Sequence, residues 1–417
     1  MKKRKKGLLW KIPLCTLCAL LAAILVLGAA IAIQGKTGWH EWEDWQQEHL
    51  AQLRAASLTL EPQSREAALA AEKARTGVDV GAEIKSGTKF NQLRGLITHN
   101  SYKQKMPAAG SFVFNSLYLF GSGMKGEYEY TFEPLTDQLN NGVMGLELDL
   151  YYTMENGAPR FLFCHAPLID MNSSAIDAGL ALEELALWSK AHPSHLPIVL
   201  LIEPKEVSLS PFNIYGMDKQ YFAEFDKLIR DSLGDSLLSP ADMLGDYTDF
   251  AALRADDGWL PLEQTLGKFV PLFHPNETLT PEYIAIDSTL RTQAMFPAFQ
   301  WQDWANPLAS FVLANDPKEA YDNSSLLVDE QNLIVRSRVD VWPEYTAEEY
   351  KLCMESGAQW FSTDYPKRTD AVGTPSYFEF AAPSADLPEV VKTPGDYHIS
   401  LFPSGGTAMI KESNAAD

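Results

Sequence analysis

The chain has 417 residues, of which 46% are hydrophobic and 11% aromatic, so it is long enough to bury a large core in one or more domains. Its formal net charge is −21, and near −27 without the six basic residues that precede residue 12. This charge argues against nucleic acid as a partner, because such partners need an excess of basic side chains. Approach to an anionic lipid surface would require a local basic patch or a tether.

A basic stretch and a long apolar run occupy the N-terminal part of the sequence. Residues 1–11 form a basic stub and are followed by an uncharged apolar run at residues 12–33. At about 1.5 Å per residue this run can cross a ~30 Å hydrocarbon core, and the positive-inside rule then places everything after Gln34 outside the cytoplasm. We predict a transmembrane helix retained as a signal anchor. A cleaved signal peptide, with a small-residue site at 30–32, is the alternative and would give a secreted protein.

Residues 34–90 are charged and alanine-rich, which predicts a helical spacer beyond the membrane segment. Trp39, Trp42 and Trp45 recur there at helical spacing. Their position just outside the apolar run favours an interfacial belt at the outer headgroups, and packing against the domain is the alternative.

From residue 91 onward, short apolar runs alternate with helical patterns. Eight such runs predict an α/β fold, a TIM-type (β/α)8 barrel with regular or irregular spacing. The barrel is assigned to residues 91–369, and a loosely ordered extension with a short pairing element at 397–402 is assigned to 370–417. The predicted strands are 93–98, 143–151, 161–164, 198–202, 268–273, 294–299, 333–339 and 359–363, and the predicted helices include 182–190, 219–233 and 347–356.

Cys164 and Cys353 are the two cysteines outside the apolar N-terminal run. Cys164 falls at a strand end and Cys353 in a helical pattern, so a disulfide between them would be geometrically demanding. Both are predicted to be buried thiols that pack in the core.

Polar motifs close several of the predicted strands. Because the carboxyl ends of parallel barrel strands meet at one face, we expect these side chains to converge there. They are His99 and Asn100 after the first strand, Glu147 and Asp149 in the second, His165 after the third, and Glu203 and Lys205 at the end of the fourth.

The acidic residues of these motifs predict a metal site. Glu147 and Asp149 are two apart in a strand and point to one side, and Glu203 adds a third charge. Carboxylates so close would raise one another's pKa unless a cation lay between them. Oxygen ligands favour calcium, magnesium or manganese over zinc. Separate solvated carboxylates are the alternative.

Two histidines at strand ends that face an acidic cluster form the acid and base pair that phosphodiester transfer requires, and they are His99 and His165. His192 and His195 lie in a polar, Pro-flanked loop and are predicted to be surface residues. His274 ends the fifth strand, where it would line the mouth.

Cationic side chains at the same face are candidates for binding a phosphate. Lys205 shares the strand face of Glu203, and Arg336, Arg338 and Asp340 alternate along the seventh strand with side chains toward the mouth. A salt bridge between Arg338 and Asp340 is the alternative.

The motifs THNSY, LELDLYY, CHAP, WSKAHPSHLPIVLLIEPK, VRSRVD and STDYP together resemble the bacterial calcium-dependent phosphoinositide-specific phospholipase C family. The resemblance runs over about residues 91–366. It implies a lipid substrate of the phosphatidylinositol type, whose phosphodiester is attacked by the inositol 2-hydroxyl to give a cyclic phosphate and release diacylglycerol.

The resemblance also implies a role for each motif residue. His99 would stabilise the phosphorane and help deprotonate the hydroxyl, with Glu147 as a second base, and His165 would protonate the leaving oxygen. The implied calcium ligands are Asn100, Glu147, Asp149 and Glu203, and the implied substrate-binding residues are Lys205, Arg336 and Arg338.

Two features depart from the family pattern. The fifth strand ends in His274 where an acidic or small polar residue is expected, and the insert at 112–128 is aromatic and glycine-rich, which suits a lipid-docking rim or a packed lid.

Three other functions are weighed against this one. A glycerophosphodiester phosphodiesterase would carry His-Arg-Gly where this chain has His99-Asn100-Ser101, and a metal-independent phospholipase C would need an arginine in the strand of Glu147. A non-catalytic membrane-anchored binding module is disfavoured because both histidines and all four ligands are present.

Overall fold

Eight parallel strands close into a barrel in the computed structural model, which describes residues 14–119, 131–339, 347–364 and 408–410. The barrel order is β1, β2, β4, β6, β7, β8, β9, β10 and back to β1, and every pairing in it is parallel. The predicted TIM-type fold is confirmed. The strands are β1 Leu93–Thr98, β2 Gly145–Glu155, β3 Ala158–Phe163, β4 Ile198–Pro204, β5 Tyr215–Gly216, β6 Phe269–Phe273, β7 Phe296–Gln300, β8 Phe311–Leu313, β9 Ile334–Arg338, β10 Trp360–Thr363 and β11 Ala408–Ile410.

Helices surround the barrel and cover the apolar side chains that its strands direct outward. The main core cluster joins strand residues such as Leu146, Leu200 and Phe269 to helix residues such as Leu182 and Phe225, all of them fully buried. The helices are α1 Leu14–Ser57, α2 Arg65–Thr76, α3 Val80–Ser86, α4 Ala108–Leu119, α5 Leu135–Asn140, α6 Ala178–Ala191, α7 Phe222–Leu233, α8 Pro240–Leu244, α9 Phe250–Ala255, α10 Leu262–Thr265, α11 Leu279–Ile284, α12 Pro317–Asp322 and α13 Ala347–Glu355.

The predicted third barrel strand, 161–164, is wrong as a barrel strand. Its residues belong to β3, which returns antiparallel along the extended end of β2 as a hairpin. The turn between the two strands is Asn156-Gly157, and both residues have positive φ, as a type I′ hairpin turn requires. The barrel strand missing from the prediction is β8. It has three residues and is joined to β7 by a single 3-10 turn at Trp301–Asp303. The sequence before it therefore lacks the helical pattern that would indicate a new barrel strand.

Helix α1 does not end where the apolar run ends but continues through residue 57. Its second half packs on the domain, where Trp39 and Trp42 contact the cluster of Leu162, Leu168 and Ile176. The interpretation of these tryptophans as a headgroup belt is therefore wrong for Trp39 and Trp42, because the alternative, packing against the domain, accounts for their burial.

Strand β11 pairs antiparallel with the first half of β1, where Leu93 faces Ile410. Strand β1 pairs with β2 only through Ile97 and Thr98, so β11 covers the part of the β1 edge that β2 leaves unpaired. The short pairing element predicted at 397–402 lies outside the described residues, as do the basic stub at 1–11, residue Asp340 and most of the extension at 370–417.

Two predictions about packing have opposite outcomes. Cys164 and Cys353 are both buried thiols, as predicted. His195 is not a surface residue, because only 1% of it is exposed. Its ring lies between Ser189, whose Oγ is 3.0 Å from Nε2, and the Leu196 carbonyl, 2.6 Å from Nδ1. Burial lowers the pKa of His195 to about 3, so this ring is neutral.

Candidate active site

Three carboxylates from two adjacent strands meet at the mouth, which is the face formed by the carboxyl ends of the barrel strands. Asp149 of β2 is the register partner of Glu203 of β4, and Glu147 lies two residues earlier on the same side of β2. One oxygen of each carboxylate lies within 4.8 Å of the others. This group could therefore hold a metal ion.

Two cations neutralise part of this acidic cluster. The Lys205 ammonium is 3.1 Å from Asp149 Oδ2 and also contacts Glu203 Oε1. Arg336 reaches across the barrel from β9 and donates from Nη2 to Glu147 Oε2 at 2.6 Å. Although the strand of Glu147 contains no arginine, Arg336 from β9 thus lies beside Glu147. The three carboxylates and two cations leave one negative charge in excess.

The donor set fits a hard divalent cation. Both oxygens of Asp149 are buried, and Oδ1 accepts no hydrogen bond from the residues that the structure describes. Burial raises the pKa of Asp149 to about 6 against the opposing effect of Lys205, so the ion pair with Lys205 offsets only part of the cost of burying this carboxylate. A buried acceptor in this condition is costly unless a ligand meets it. Oxygen-only coordination suits calcium.

Asn100 lies beside the cluster in an unusual backbone conformation. Its φ is +53°, a left-handed value that asparagine tolerates better than most residues, and its side chain is buried. The next residue, Ser101, exchanges hydrogen bonds with the Glu147 backbone in both directions. These bonds fix the chain at Asn100 against the strand that carries Glu147 and Asp149.

His99 is held between two carboxylates at the same face. Its Nδ1 is 2.6 Å from Asp364 Oδ1, and its Nε2 is 3.5 Å from Glu147 Oε1. Burial lowers the pKa of His99, but the charges of Asp364 and Glu147 outweigh burial and raise it overall. With Nδ1–H donating to Asp364, the free Nε2 faces the acidic cluster and can accept a proton there.

His165 approaches the mouth from the segment after the β2–β3 hairpin rather than from a barrel strand. Its Nδ1 is 2.8 Å from Asp170 Oδ2, and the Lys103 ammonium is 2.7 Å from the same oxygen. Lys103 and Asp170 have no exposed side-chain surface, whereas His165 is one-fifth exposed. Against the effect of burial, Lys103 and His165 lower the pKa of Asp170 and keep its carboxylate ionised.

The arginines of β9 have carboxylate partners among the described residues. Arg338 donates from Nη2 to Asp364 Oδ2 at 3.0 Å, and the alternative salt bridge to Asp340 involves a residue outside the described ranges. Arg336 is held by Ser362 Oγ at 2.7 Å and by Asn315, in addition to Glu147. Both arginine side chains thus lie at the mouth, as predicted from their alternation along the strand.

Three residues of the site were missed at the sequence level. Asp364 follows the last barrel strand in the STDYP motif, and the rule that found the other motifs, polar residues at a strand's carboxyl end, would have found it. Asp170 and Lys103 lie in loops, where spacing along the chain does not indicate which side chain they contact.

A comparison with protein families matches residues 158–383, more than half of the chain, to the family described as phosphoinositide phospholipase C, Ca²⁺-dependent. This range begins in β3. It therefore includes His165, Glu203, Lys205 and Arg336, while His99, Asn100, Glu147 and Asp149 precede it.

Solved structures of related enzymes resemble the chain at low identity. The calcium-dependent phosphatidylinositol-specific phospholipase C from Streptomyces antibioticus has 22% identity, covers 67% of this chain and 95% of its own, and gives a TM-score of 0.47. The calcium-dependent phosphoinositol-specific phospholipase C from a Gram-negative Pseudomonas species, in its myo-inositol complex, has 17% identity, with coverage of 79% and 97% and a TM-score of 0.48. No curated protein matches the chain.

Proposed function

The chain belongs to the calcium-dependent phosphoinositide phospholipase C family, and we propose that it cleaves phosphatidylinositol-type lipids by attack of the inositol 2-hydroxyl on the phosphorus. The oxygen–phosphorus bond to diacylglycerol breaks as the bond to the 2-oxygen forms. The products are diacylglycerol and a cyclic inositol phosphate, which water can open to the linear phosphate.

Calcium would be held by Asn100, Glu147, Asp149 and Glu203. The buried Asp149 carboxylate, whose Oδ1 accepts no hydrogen bond from the described residues, and the proximity of the three acidic side chains support this assignment. When bound, calcium supplies charge neutralisation at the phosphate and acidifies the attacking hydroxyl. Its two positive charges would turn the local excess of one negative charge into one positive charge, which a phosphodiester monoanion balances.

The two histidines would move the protons of the reaction. His99, oriented by Asp364, takes the 2-hydroxyl proton at Nε2, with Glu147 as the second acceptor beside it. His165, oriented by Asp170, donates a proton to the departing diacylglycerol oxygen. Lys205, Arg336 and Arg338 bind the phosphate and inositol hydroxyls.

We also propose that the apolar half of α1 is retained in a membrane and that the barrel lies outside the cytoplasm. This half is long and apolar enough to span a bilayer. The barrel strands begin at Leu93, well after the end of α1, so the catalytic domain would remain attached to the anchor through its docked helix.

The observation that supports the proposed reaction is that two histidines, each bound to its own carboxylate, act on one acidic cluster: His99 Nε2 is 3.5 Å from Glu147, and the charge of His165 lowers the pKa of Asp149. In-line phosphodiester transfer needs one group to accept a proton and another to donate one beside a cation site, and two histidines with different carboxylate partners suit these two roles.

Hydrolysis of phosphatidylinositol by the full chain in detergent, with calcium and with a chelator, tests the function. Calcium-dependent release of a cyclic inositol phosphate is expected, and His165→Ala should abolish most of it. His192→Ala is the matched control, because His192 ends α6 on the opposite face of the barrel. Activity on glycerophosphodiesters alone, or no activity with calcium present, would overturn the proposal.

A further inference from the structure

Helix α1 runs along the barrel in a defined direction. Gln34 of α1 accepts a hydrogen bond from the Ala109 N–H at 2.9 Å, next to the loop that follows β1. Farther along, Gln46 exchanges hydrogen bonds of 2.9 and 3.0 Å with the Asp177 backbone, just before α6. At its end, Ser57 accepts from Lys190, in the last turn of α6.

These contacts fix which end of the barrel the apolar half of α1 adjoins. The loop before α6 carries His165 at the mouth, and the chain after α6 enters β4 at the opposite face. Because α1 passes from the mouth side at Gln34 to the opposite face at Ser57, the residues before Gln34 extend beyond the mouth. The membrane segment and the catalytic opening therefore lie at the same end of the molecule.

The junction at the mouth is tight. A Cβ added at Gly35 would overlap the Leu168 carbonyl, and one added at Gly38 would overlap the Asn172 side chain, so the helix backbone lies directly on the loop of residues 165–173. The docked part of α1 and the apolar part belong to one helix, so no non-helical segment separates them.

Residues 21–26, in the apolar part of α1, are exposed. Leu21, Ile24, Leu25 and Val26 are 52–73% exposed. At about 1.5 Å per residue, the apolar helix from Leu14 to Ile33 is about 30 Å long, the thickness of a hydrocarbon core, and Ile31 near its end already packs against the domain. Phe112, on the helix α4 that contacts α1 near the mouth, is 61% exposed.

We infer that α1 is a strut which holds the mouth against the bilayer that it spans, so that the enzyme acts on phosphoinositides of that same bilayer and not on those of other membranes. This inference rests on the proposed function and adds the orientation and the source of the lipid. The acidic composition of the chain favours such a strut, because an anionic membrane repels a negatively charged domain that is not attached to it.

Reconstituted vesicles test the inference. The full chain is placed either in vesicles that contain phosphatidylinositol or in vesicles without it that are mixed with separate phosphatidylinositol vesicles. Hydrolysis should be about 10²-fold faster in the first arrangement, because the anchor raises the effective concentration of the lipid. Equal rates in both arrangements would overturn the inference.

An insertion of flexible residues distinguishes a rigid strut from a simple tether. Eight glycine and serine residues inserted between Ile33 and Gln34 keep the anchor but remove its rigid connection. Hydrolysis within the same vesicle should fall at least about fivefold, while cleavage of a water-soluble inositol phosphodiester stays unchanged. The same insertion between Leu60 and Glu61, beyond the docked part of α1, is the matched control and should change neither rate.

The outcomes distinguish the inference from its premises. If the intact chain fails to cleave the soluble phosphodiester in calcium, the proposed function is wrong. If the purified chain lacks its apolar segment by mass spectrometry, the retained anchor is wrong. Unchanged hydrolysis within the vesicle after insertion at Ile33 would leave both premises standing and overturn the strut.

Discussion

His99 Nδ1 lies 2.6 Å from Asp364 Oδ1, a contact that joins the first and the last barrel strands at the mouth. The carboxylate is itself held by Arg338, so its position does not depend on the histidine. The imidazole is therefore oriented by a group that is fixed before substrate arrives.

Asp364→Asn should lower kcat about 10- to 100-fold with a smaller change in KM, because His99 loses its orienting charge. Asp364 and Glu147 raise the pKa of His99 against burial, so the acid limb of kcat/KM lies above the ordinary histidine value of about 6.5. Removing the Asp364 charge should move that limb to lower pH. Asp364→Glu, which keeps the charge, separates charge from geometry. An unchanged limb in Asp364→Asn would contradict the assignment.

Asp170→Asn should slow the reaction in a manner that depends on the leaving group. If Asp170 orients His165 as the acid, phosphatidylinositol cleavage falls about 10- to 100-fold, because an alkoxide leaves poorly without a proton. An inositol phosphodiester with a para-nitrophenol leaving group should be nearly unaffected. The measurement is the ratio of kcat/KM for the two substrates.

The control for that ratio is Asp226→Asn, which removes another buried carboxylate, bound by Tyr283 at 2.8 Å and outside the mouth. Purely structural damage changes both substrates alike and leaves the ratio unchanged. His165→Ala should show the same selectivity as Asp170→Asn, and a selective His165 variant beside an unselective Asp170 variant would show that Asp170 has no part in orienting the acid.

Calcium should raise the Tm of the full chain by a few degrees, because a ligand at 100 times its Kd adds about 2.7 kcal/mol to the stability of the folded state. Asp149→Asn should lose most of this increase, since it removes the charge of a buried carboxylate in the proposed calcium site. Thermal unfolding in detergent with calcium, magnesium and a chelator measures the effect. A calcium response that is equal in the variant and the natural chain would exclude Asp149 as a ligand.

Gly35→Ala should destabilise the domain by about 1–3 kcal/mol, as overpacking does, because the new methyl group meets the Leu168 carbonyl. Gly28→Ala is the matched control in the same helix, where a Cβ has nothing within 4 Å. Both changes replace a glycine by alanine within one helix, so a lower Tm in Gly35→Ala than in Gly28→Ala reports the contact with Leu168. Equal Tm values would show that α1 does not dock as described.

His195 should make the domain sensitive to acid. Its folded-state pKa is lowered to about 3 by burial, whereas the unfolded chain takes up this proton near pH 6.5. Unfolding is therefore favoured progressively as pH falls below about 6.5, with a loss near 2 kcal/mol at pH 5. His195→Asn should be less stable at pH 7.5 but lose less between pH 7.5 and 5. Parallel losses of stability in the two proteins would contradict this account.

The sequence predicted those strands whose apolar runs were bounded by polar motifs. The first predicted strand, 93–98, agrees with β1 at both ends. The run 161–164 looked the same as a barrel strand because four apolar residues also fit a hairpin arm, and the Asn156-Gly157 turn before it was overlooked. With only three residues, β8 is too short to show any period.

Within the site, strand position predicted the side chains that point into the mouth but not the partners that hold them. Glu147 and Asp149 follow from the alternation of a strand. The pairing of His165 with Asp170 and Lys103 depends on how two loops pack, and Arg336 reaches Glu147 from a strand on the other side of the barrel. Such contacts are set by the closed barrel and not by spacing along the chain.

The unbroken helix α1 also changes how the enzyme would meet its substrate. An enzyme on a flexible tether reaches lipids throughout the volume around its anchor. A barrel fixed on a strut reaches only the membrane area that its own anchor crosses by lateral diffusion. Turnover would then depend on the density and fluidity of the surrounding leaflet, and diacylglycerol would be left where the anchor has just been. The chain would therefore act only on lipids of the membrane that its own anchor crosses.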